Sequence, residues 1–124
     1  MKYFSIYIPD PKTNPTGPST GKRKEEMNAF AAGALARGEL LSGGGFLPLK
    51  TSGVVMRRTN GKSTIIDGPY AESKEMVGGF AMLQFASHEA AIEGTRRFLE
   101  VAGDGECVTY QIMDQEECMG EKAA

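Results

Sequence analysis

The spacing of apolar residues along the chain predicts an alternation of strands and helices. Short apolar runs and a period of two residues predict strands over 2–8, 53–58, 63–67, 78–85 and 107–113. A period of 3.6 residues predicts helices over 22–37 and 87–102. Segment 39–49 is apolar around three consecutive glycines, Gly43 to Gly45, and we expect an irregular strand that the glycines break.

Each predicted helix has one apolar stripe and a recognisable end. The stripe of the first helix consists of Met27, Phe30, Ala31, Ala34 and Leu35. Gly38 follows it as a C-terminal cap. The second helix begins after Ser87, a capping residue, and ends at Gly103. The residues expected to face inward from the second helix are Ala91, Ile92, Thr95, Phe98, Leu99 and Ala102.

The order of these elements predicts the fold class. Asn60-Gly61 supplies the two positive φ angles of a tight hairpin turn between the strands at 53–58 and 63–67. Strand 78–85 is apolar on both faces, as a central strand would be. We expect an α+β fold, a ferredoxin-like antiparallel sheet with two helices on one face and an inserted β-hairpin. The opposite sheet face stays apolar, so we expect a homodimer in which a second copy covers it.

Composition narrows the class of protein. The 124 residues suffice for one domain, which we place at 1–114, with a polar tail at 115–124. The chain has 14 basic and 16 acidic residues, and its only basic run, 22–24, is followed by two glutamates. This balance predicts no binding to nucleic acid.

The hydropathy of the chain and its cysteines predict the cellular compartment and whether a metal or cofactor is bound. No apolar segment approaches the roughly 20 residues of a membrane span, so no membrane association is expected. The first residues enter a strand directly, and Cys107 and Cys118 lie apart from other cysteines or histidines at metal-ligand spacing. We expect reduced thiols, a cytoplasmic protein, no metal and no cofactor.

The most unusual segment is Asp67-Gly68-Pro69-Tyr70-Ala71-Glu72-Ser73-Lys74-Glu75. Asp67, Gly68 and Pro69 end a strand and turn the chain, and the Asp67 carboxylate can accept hydrogen bonds from backbone N–H groups of that turn. Tyr70, Glu72, Lys74 and Glu75 follow on one loop. These residues are either a structural turn with a solvated loop, or a ligand-binding site that converges with Arg57 or Arg58. In a pocket, a carboxylate beside an apolar wall could act as a general acid or base.

This segment and the following Val77-Gly78-Gly79-Phe80 resemble the hallmark of the YCII-related proteins in the DGPF branch. The usual form of this hallmark reads Asp-Gly-Pro-Phe, then Ala-Glu-Thr-Lys-Glu and Gly-Gly-Phe. In this chain Tyr70 replaces the Phe of the first motif and Ser73 replaces the Thr of the second. The opening Met1-Lys2-Tyr3 and the Asn60-Gly61 turn also match the family. The resemblance implies a dimeric α/β barrel built from ferredoxin-like domains.

The resemblance leaves two hypotheses for the function. Some YCII-type relatives carry a His–Asp pair in a cleft, which implies a small-molecule enzyme or ligand-binding protein. Some DGPF proteins are similar to those encoded beside extracytoplasmic-function sigma factors, which implies a non-catalytic regulatory partner. The only histidine here, His88, follows the Ser87 cap and is expected to be exposed, so a His–Asp pair is not expected. The sequence does not name a reaction.

Overall fold

The computed structural model describes residues 1–66, 78–113, 116 and 118–120. Its strands are β1 (Lys2–Pro9), β2 (Leu40–Gly45), β3 (Val55–Thr59), β4 (Lys62–Ile66), β5 (Gly79–Gln84) and β6 (Gly105–Gln111). Its helices are α1 (Gly21–Ala36), the short α2 (Leu49–Ser52), which the sequence did not predict, and α3 (His88–Ala102).

Four of these strands form one antiparallel sheet in the order β2-β5-β1-β6. In this sheet β1 pairs with both β5 and β6, and β2 pairs with β5. With α1 and α3 as the connecting helices, this is the ferredoxin-like arrangement that the order of elements predicted. Strand β5 is central, as its two apolar faces indicated.

The two faces of the sheet differ in what covers them. Strand β1 buries Tyr3, Ser5 and Tyr7 on one face, where the Tyr7 ring meets Phe98 of α3 edge-on at 5.3 Å between ring centroids. Phe98 in turn packs against Phe30 of α1 at 6.3 Å. Both long helices therefore cover the Tyr3–Tyr7 side of the sheet, and we call the other side, which carries Phe4, Ile6 and Ile8, the open face.

Two residues of the predicted helix stripes face solvent instead. Leu35 is 56% exposed, because α1 turns its inner face along Met27, Phe30 and Ala34, and Leu35 lies about 100° away from that line. Ile92 is 46% exposed, and Gly94 lies inward in its place. The Phe85 ring packs so closely on Gly94 that a Cβ there would lie 2.6 Å from its Cζ atom.

The predicted helix ends are confirmed, and the C-terminus of α3 carries the densest set of hydrogen bonds. Ser87 Oγ accepts a hydrogen bond from the Ala90 N–H at 3.1 Å at the N-terminus. Gly103 ends the helix with φ of 88°, and its N–H donates to the Leu99 carbonyl at 2.8 Å. The last carbonyls of a helix have no partner within the helix, and here side chains from three other segments supply donors.

Tyr7, Asn14 and Arg23 are these donors, and together with Gly103 we call them the α3 cap. The Tyr7 hydroxyl lies 3.3, 3.0 and 3.1 Å from the carbonyl oxygens of Ala102, Gly103 and Asp104. The Asn14 amide donates to Ala102 and Asp104 at 3.0 Å and to the Tyr7 hydroxyl at 3.2 Å. Arg23 donates to Ala102 at 3.0 Å, and its guanidinium occupies the space that a Cβ on residue 103 would need.

Strand β2 is not broken by its glycines, contrary to the expectation from the sequence. It continues through Gly43, Gly44 and Gly45, each of which pairs with β5. The irregularity lies earlier, where the register shifts between Leu40 and Ser42. Backbone hydrogen bonds to the central strand thus outweigh the low strand preference of the glycines.

The inserted hairpin has the predicted turn. Asn60 and Gly61 adopt φ angles of 53° and 79°, between Thr59 and its partner Lys62. Strands β3 and β4 form a two-stranded sheet of their own, separate from the four-stranded one.

We predict that Tyr7→Phe lowers the free energy of unfolding by about 1 kcal/mol, because the variant keeps the ring contact with Phe98 and loses only the hydroxyl. Urea unfolding followed by circular dichroism measures the change. Tyr3→Phe is the matched control, since Tyr3 is buried on the same strand face and its hydroxyl lies 4.0 Å from the Met1 sulfur. Equal effects of the two substitutions would contradict a role for the α3 cap.

The contribution of Tyr7 should also depend on pH. Burial raises the pKa of Tyr7 above its ordinary value of 10.0, although Asn14 and Arg23 oppose the shift. The stabilisation is therefore complete below pH 10 and is lost as the pH rises through the higher folded-state pKa. We expect the difference in unfolding free energy between the wild type and Tyr7→Phe to shrink above pH 10. A difference that stays constant across that range would contradict the predicted titration.

Candidate functional site

The predicted site residues lie outside the described part of the chain. They are Asp67, Gly68, Pro69, Tyr70, Glu72, Lys74 and Glu75. The described chain reaches this segment at Ile66, the end of β4, and resumes at Gly78, just before β5. The surroundings of Gly78 therefore define one border of the predicted site.

Gly78 is fixed to two strands of the main sheet. Its carbonyl accepts a hydrogen bond from the Phe46 N–H at 2.8 Å, just after β2. A Cβ on residue 78 would collide with the carbonyl oxygen of Tyr7, so the backbone of β1 approaches too closely for a larger residue. The described chain thus resumes at the end of the sheet where β1 and β2 finish and β5 begins.

A row of three phenylalanine rings crosses the open face at this edge. The Phe80 ring stacks on Phe46 at 5.8 Å and on Phe4 at 6.2 Å between ring centroids, with interplanar angles of 26° and 25°. We call Phe46, Phe80 and Phe4 the aromatic row. These near-parallel rings present an apolar surface next to Gly78 that can hold a flat or apolar molecule.

The aromatic row could not be read directly from the sequence. Phe4 and Phe80 belong to strands far apart in the chain, and the β1–β5 register opposes Phe80 to Ile6 and Met82 to Phe4. Phe46 joins the row only because Gly44 pairs with Phe80. The available signal was the apolar face of each strand, which indicates that a face is buried and does not indicate which rings meet.

The arginines considered as partners of the predicted loop lie on the hairpin. Arg57 pairs across the hairpin with Thr64 and Arg58 with Ser63. Consecutive residues of a strand point to opposite faces, so at most one of these two arginines can point into a given pocket. Both side chains are exposed.

His88 is exposed at the first turn of α3, as expected, and lies far from Gly78. The six residues of β5 separate the two positions, which amounts to roughly 20 Å of extended strand. His88 therefore does not meet the described border of the predicted loop.

A shallow cleft at the same end of the sheet carries carboxylates. It is lined by Asp10, Leu99, Glu100, Gly103, Asp104 and Gly105. The Asp10 carboxylate accepts hydrogen bonds from the N–H groups of Lys12 and Thr13 at 2.8 and 3.1 Å, and these bonds hold its pKa below the ordinary value of 3.8. Asp10 is thus ionised at neutral pH while Tyr7 stays protonated, so neither group is suited to exchange protons there.

Other polar side chains on the helix side of the sheet are satisfied locally. The Ser5 hydroxyl lies 2.9 Å from both the Cys107 sulfur and the Thr109 hydroxyl. Within residues 1–66, 78–113, 116 and 118–120, no group of three His, Cys, Asp or Glu side chains could hold a metal ion. In those same residues, no helix is both long and apolar enough to cross a membrane.

The solved structures that are similar to this chain include two at low sequence identity. The divalent cation tolerance protein CutA1 from Thermus thermophilus is 11% identical, with 97% of this chain and 93% of that chain covered and a TM-score of 0.46. The 5-chloro-2-hydroxyhydroquinone dehydrochlorinase TftG from Burkholderia phenoliruptrix AC1100, solved with 2,5-dihydroxybenzoquinone, is 15% identical. The match to the dehydrochlorinase covers 92% of this chain and 96% of that protein, with a TM-score of 0.49.

Among curated proteins, none matches this chain. The family comparison is informative, because the model of the YCII-related domain matches residues 1–115 and so covers most of the 124 residues. The chain belongs to the family of proteins with a YCII-related domain.

Proposed function

We propose that this YCII-related protein is a homodimer that binds a small molecule in a cleft between the segment 67–75 and the aromatic row. The observation that carries this proposal is the stack of Phe46, Phe80 and Phe4 on the open face, directly beside Gly78. A largely apolar wall with a few polar groups nearby is the usual composition of a small-molecule site.

The segment 67–75 would supply the polar groups. Asp67, Tyr70, Glu72 and Lys74 include two carboxylates, a phenol and an ammonium, which can fix the orientation of a ligand by hydrogen bonds. A ligand that fits both the aromatic row and the polar groups of the segment 67–75 is an apolar or aromatic ring with a polar substituent. We assign no reaction. The alternative function is that of a regulatory partner protein, which a ligand screen without any hit would favour.

The apolar character of the open face supports the proposed dimer. It carries the aromatic row together with Ile6, Ile8, Met82, Val108 and Tyr110, and Tyr110 is 59% exposed in the single chain. A continuous apolar face of this kind is rarely left in water by a monomeric protein. A symmetric second copy offers a matching face of the same shape and character.

We predict that the wild type sediments at about twice the 13.3 kDa of the chain at micromolar concentration. Val108→Arg should raise the dissociation constant of the dimer on the order of 100-fold, because each dimer would bury two new charges at the open face.

Ile92→Arg is the matched control, since Ile92 is a similarly exposed aliphatic residue on the solvent side of α3. It should leave the dissociation constant unchanged. A wild type that sediments as a monomer would rule out the dimer, and equal effects of the two arginines would place the interface elsewhere.

The ligand proposal predicts a hit in a thermal-shift screen of small aromatic and aliphatic metabolites. The shift should disappear in Asp67→Ala and Glu72→Ala, which remove polar contacts, and in Phe46→Ala, which removes one ring of the aromatic row. Each substitution should lower the affinity about tenfold or more, while circular dichroism shows the fold intact.

Leu47→Ala serves as the control for Phe46→Ala, because Leu47 is the next residue and is 73% exposed. It should keep the wild-type shift. A screen without any hit for the wild type would count against the ligand and favour the regulatory partner. A hit that survives all three site substitutions would place the ligand elsewhere on the protein.

A further inference from the structure

The hairpin of β3 and β4 receives little support from the described part of its own protomer. Every residue from 54 to 65 except Val55 is exposed, and the hairpin belongs to a sheet separate from the main one. An isolated two-stranded hairpin is only marginally stable in water. A surface on which it packs would therefore stabilise it.

One face of the hairpin is built for such packing. Met56 and Ile65 lie directly opposite each other in the β3–β4 register, so their side chains share a face. They are 60% and 55% exposed. Arg58 and Ser63 form the next pair on that face, toward the turn. The hairpin thus has an apolar base and a basic tip.

The charge of the hairpin contrasts with that of the rest of the chain. Residues 54–66 contain Arg57, Arg58 and Lys62 and no acidic residue. Because the whole chain has 14 basic and 16 acidic residues, the remainder has 11 basic and 16 acidic ones. A second copy of this chain therefore offers the hairpin a surface of opposite charge.

An acidic residue of the open face, Glu106, lies at one corner of the sheet, which we call the acidic corner. Glu106 lies opposite Ile8 at the start of the edge strand β6, on the open face, and its side chain is exposed. Asp104 lies two residues before Glu106 in the chain, while Asp10 and Glu100 line the cleft on the helix side of the same corner. This corner is the part of the open face best suited to receive a basic tip.

Two symmetric face-to-face dimers keep the strands of the two copies aligned. A two-fold axis along the strands places β2 of one copy over β6 of the other, and so brings the end of β2, from which the chain continues to the hairpin, over the acidic corner of the partner. An axis across the strands places β2 over β2 with their ends reversed, so the acidic corner of the partner lies diagonally opposite the hairpin. Charge complementarity therefore favours the axis along the strands.

Five residues per strand give the hairpin a length of about 17 Å, which exceeds the roughly 10 Å between packed sheets. Phe46, which begins the connection to the hairpin, stacks on Phe80 of the open face, so the connection starts on the side where a partner would lie.

We propose that the β3–β4 hairpin is an arm that reaches across the dimer. Its Met56–Ile65 face packs on the open face of the second copy, and Arg58 approaches Glu106 of that copy. This inference rests on the dimer of the proposed function and adds to it the orientation of the two copies and the contact that fixes it.

A charge exchange tests the contact between Arg58 and Glu106. Arg58→Glu alone should raise the dissociation constant of the dimer about tenfold, since a symmetric dimer contains the contact twice. The double variant Arg58→Glu/Glu106→Lys should return the constant to within about threefold of the wild type. Glu25→Lys in place of Glu106→Lys is the control, because Glu25 is exposed on α1, and it should not restore dimerisation.

A dimer in which Arg58→Glu has no effect, or in which Glu25→Lys restores dimerisation as well as Glu106→Lys, would overturn the arm and leave the dimer standing. A wild type that is monomeric at all concentrations would overturn both. As an independent measurement, a mixed dimer of isotope-labelled and unlabelled chains should give intermolecular nuclear Overhauser effects from the Ile65 methyl groups to aromatic protons of the partner. A dimer that shows none of these effects would overturn the arm.

Discussion

The fold depends on how the carbonyl oxygens at the end of α3 find their hydrogen bonds. A helix leaves its last carbonyls unpaired, and burying them without donors is costly. In this protein Tyr7 from β1, Asn14 from the first loop and Arg23 from α1 converge on the carbonyls of residues 102–104. The interaction joins both long helices to the central strand β1. Residue 103 is glycine because its φ of 88° lies in the left-handed region that other residues rarely adopt.

The α3 cap and Gly78, the described border of the candidate site, lie at the same end of β1. Tyr7 directs its ring toward the helices, while the backbone of Tyr7 lies against Gly78, where the segment 67–77 ends. Ile8, the next residue, belongs to the open face and lies opposite Glu106. One short stretch of β1 therefore holds the helix packing on one side and borders both the proposed ligand cleft and the proposed dimer contact on the other.

Local signals in the sequence were sufficient for the elements and insufficient for the contacts between them. Asn60-Gly61 determines its turn through the φ angles that those residues tolerate, and Ser87 determines a helix start through one short hydrogen bond. Leu35 and Ile92 face solvent because an apolar stripe does not indicate its exact centre. In α3 that centre depends on Phe85, whose ring packs on Gly94. The aromatic row and the α3 cap join residues that are distant in the chain, so they depend on strand register and packing that no local pattern encodes.

The position of β1 in the sheet has a consequence for how the chain can fold during its synthesis. Strand β1 comes first in the chain, yet its hydrogen-bonded neighbours are β5 and β6, which come last among the strands. Helix α1 and the hairpin can form on the ribosome early, but the central strand must wait until residue 111 has emerged before both of its edges are paired. Contacts of such long range make folding slow, and they leave the aromatic residues of β1 exposed in the nascent chain for most of translation.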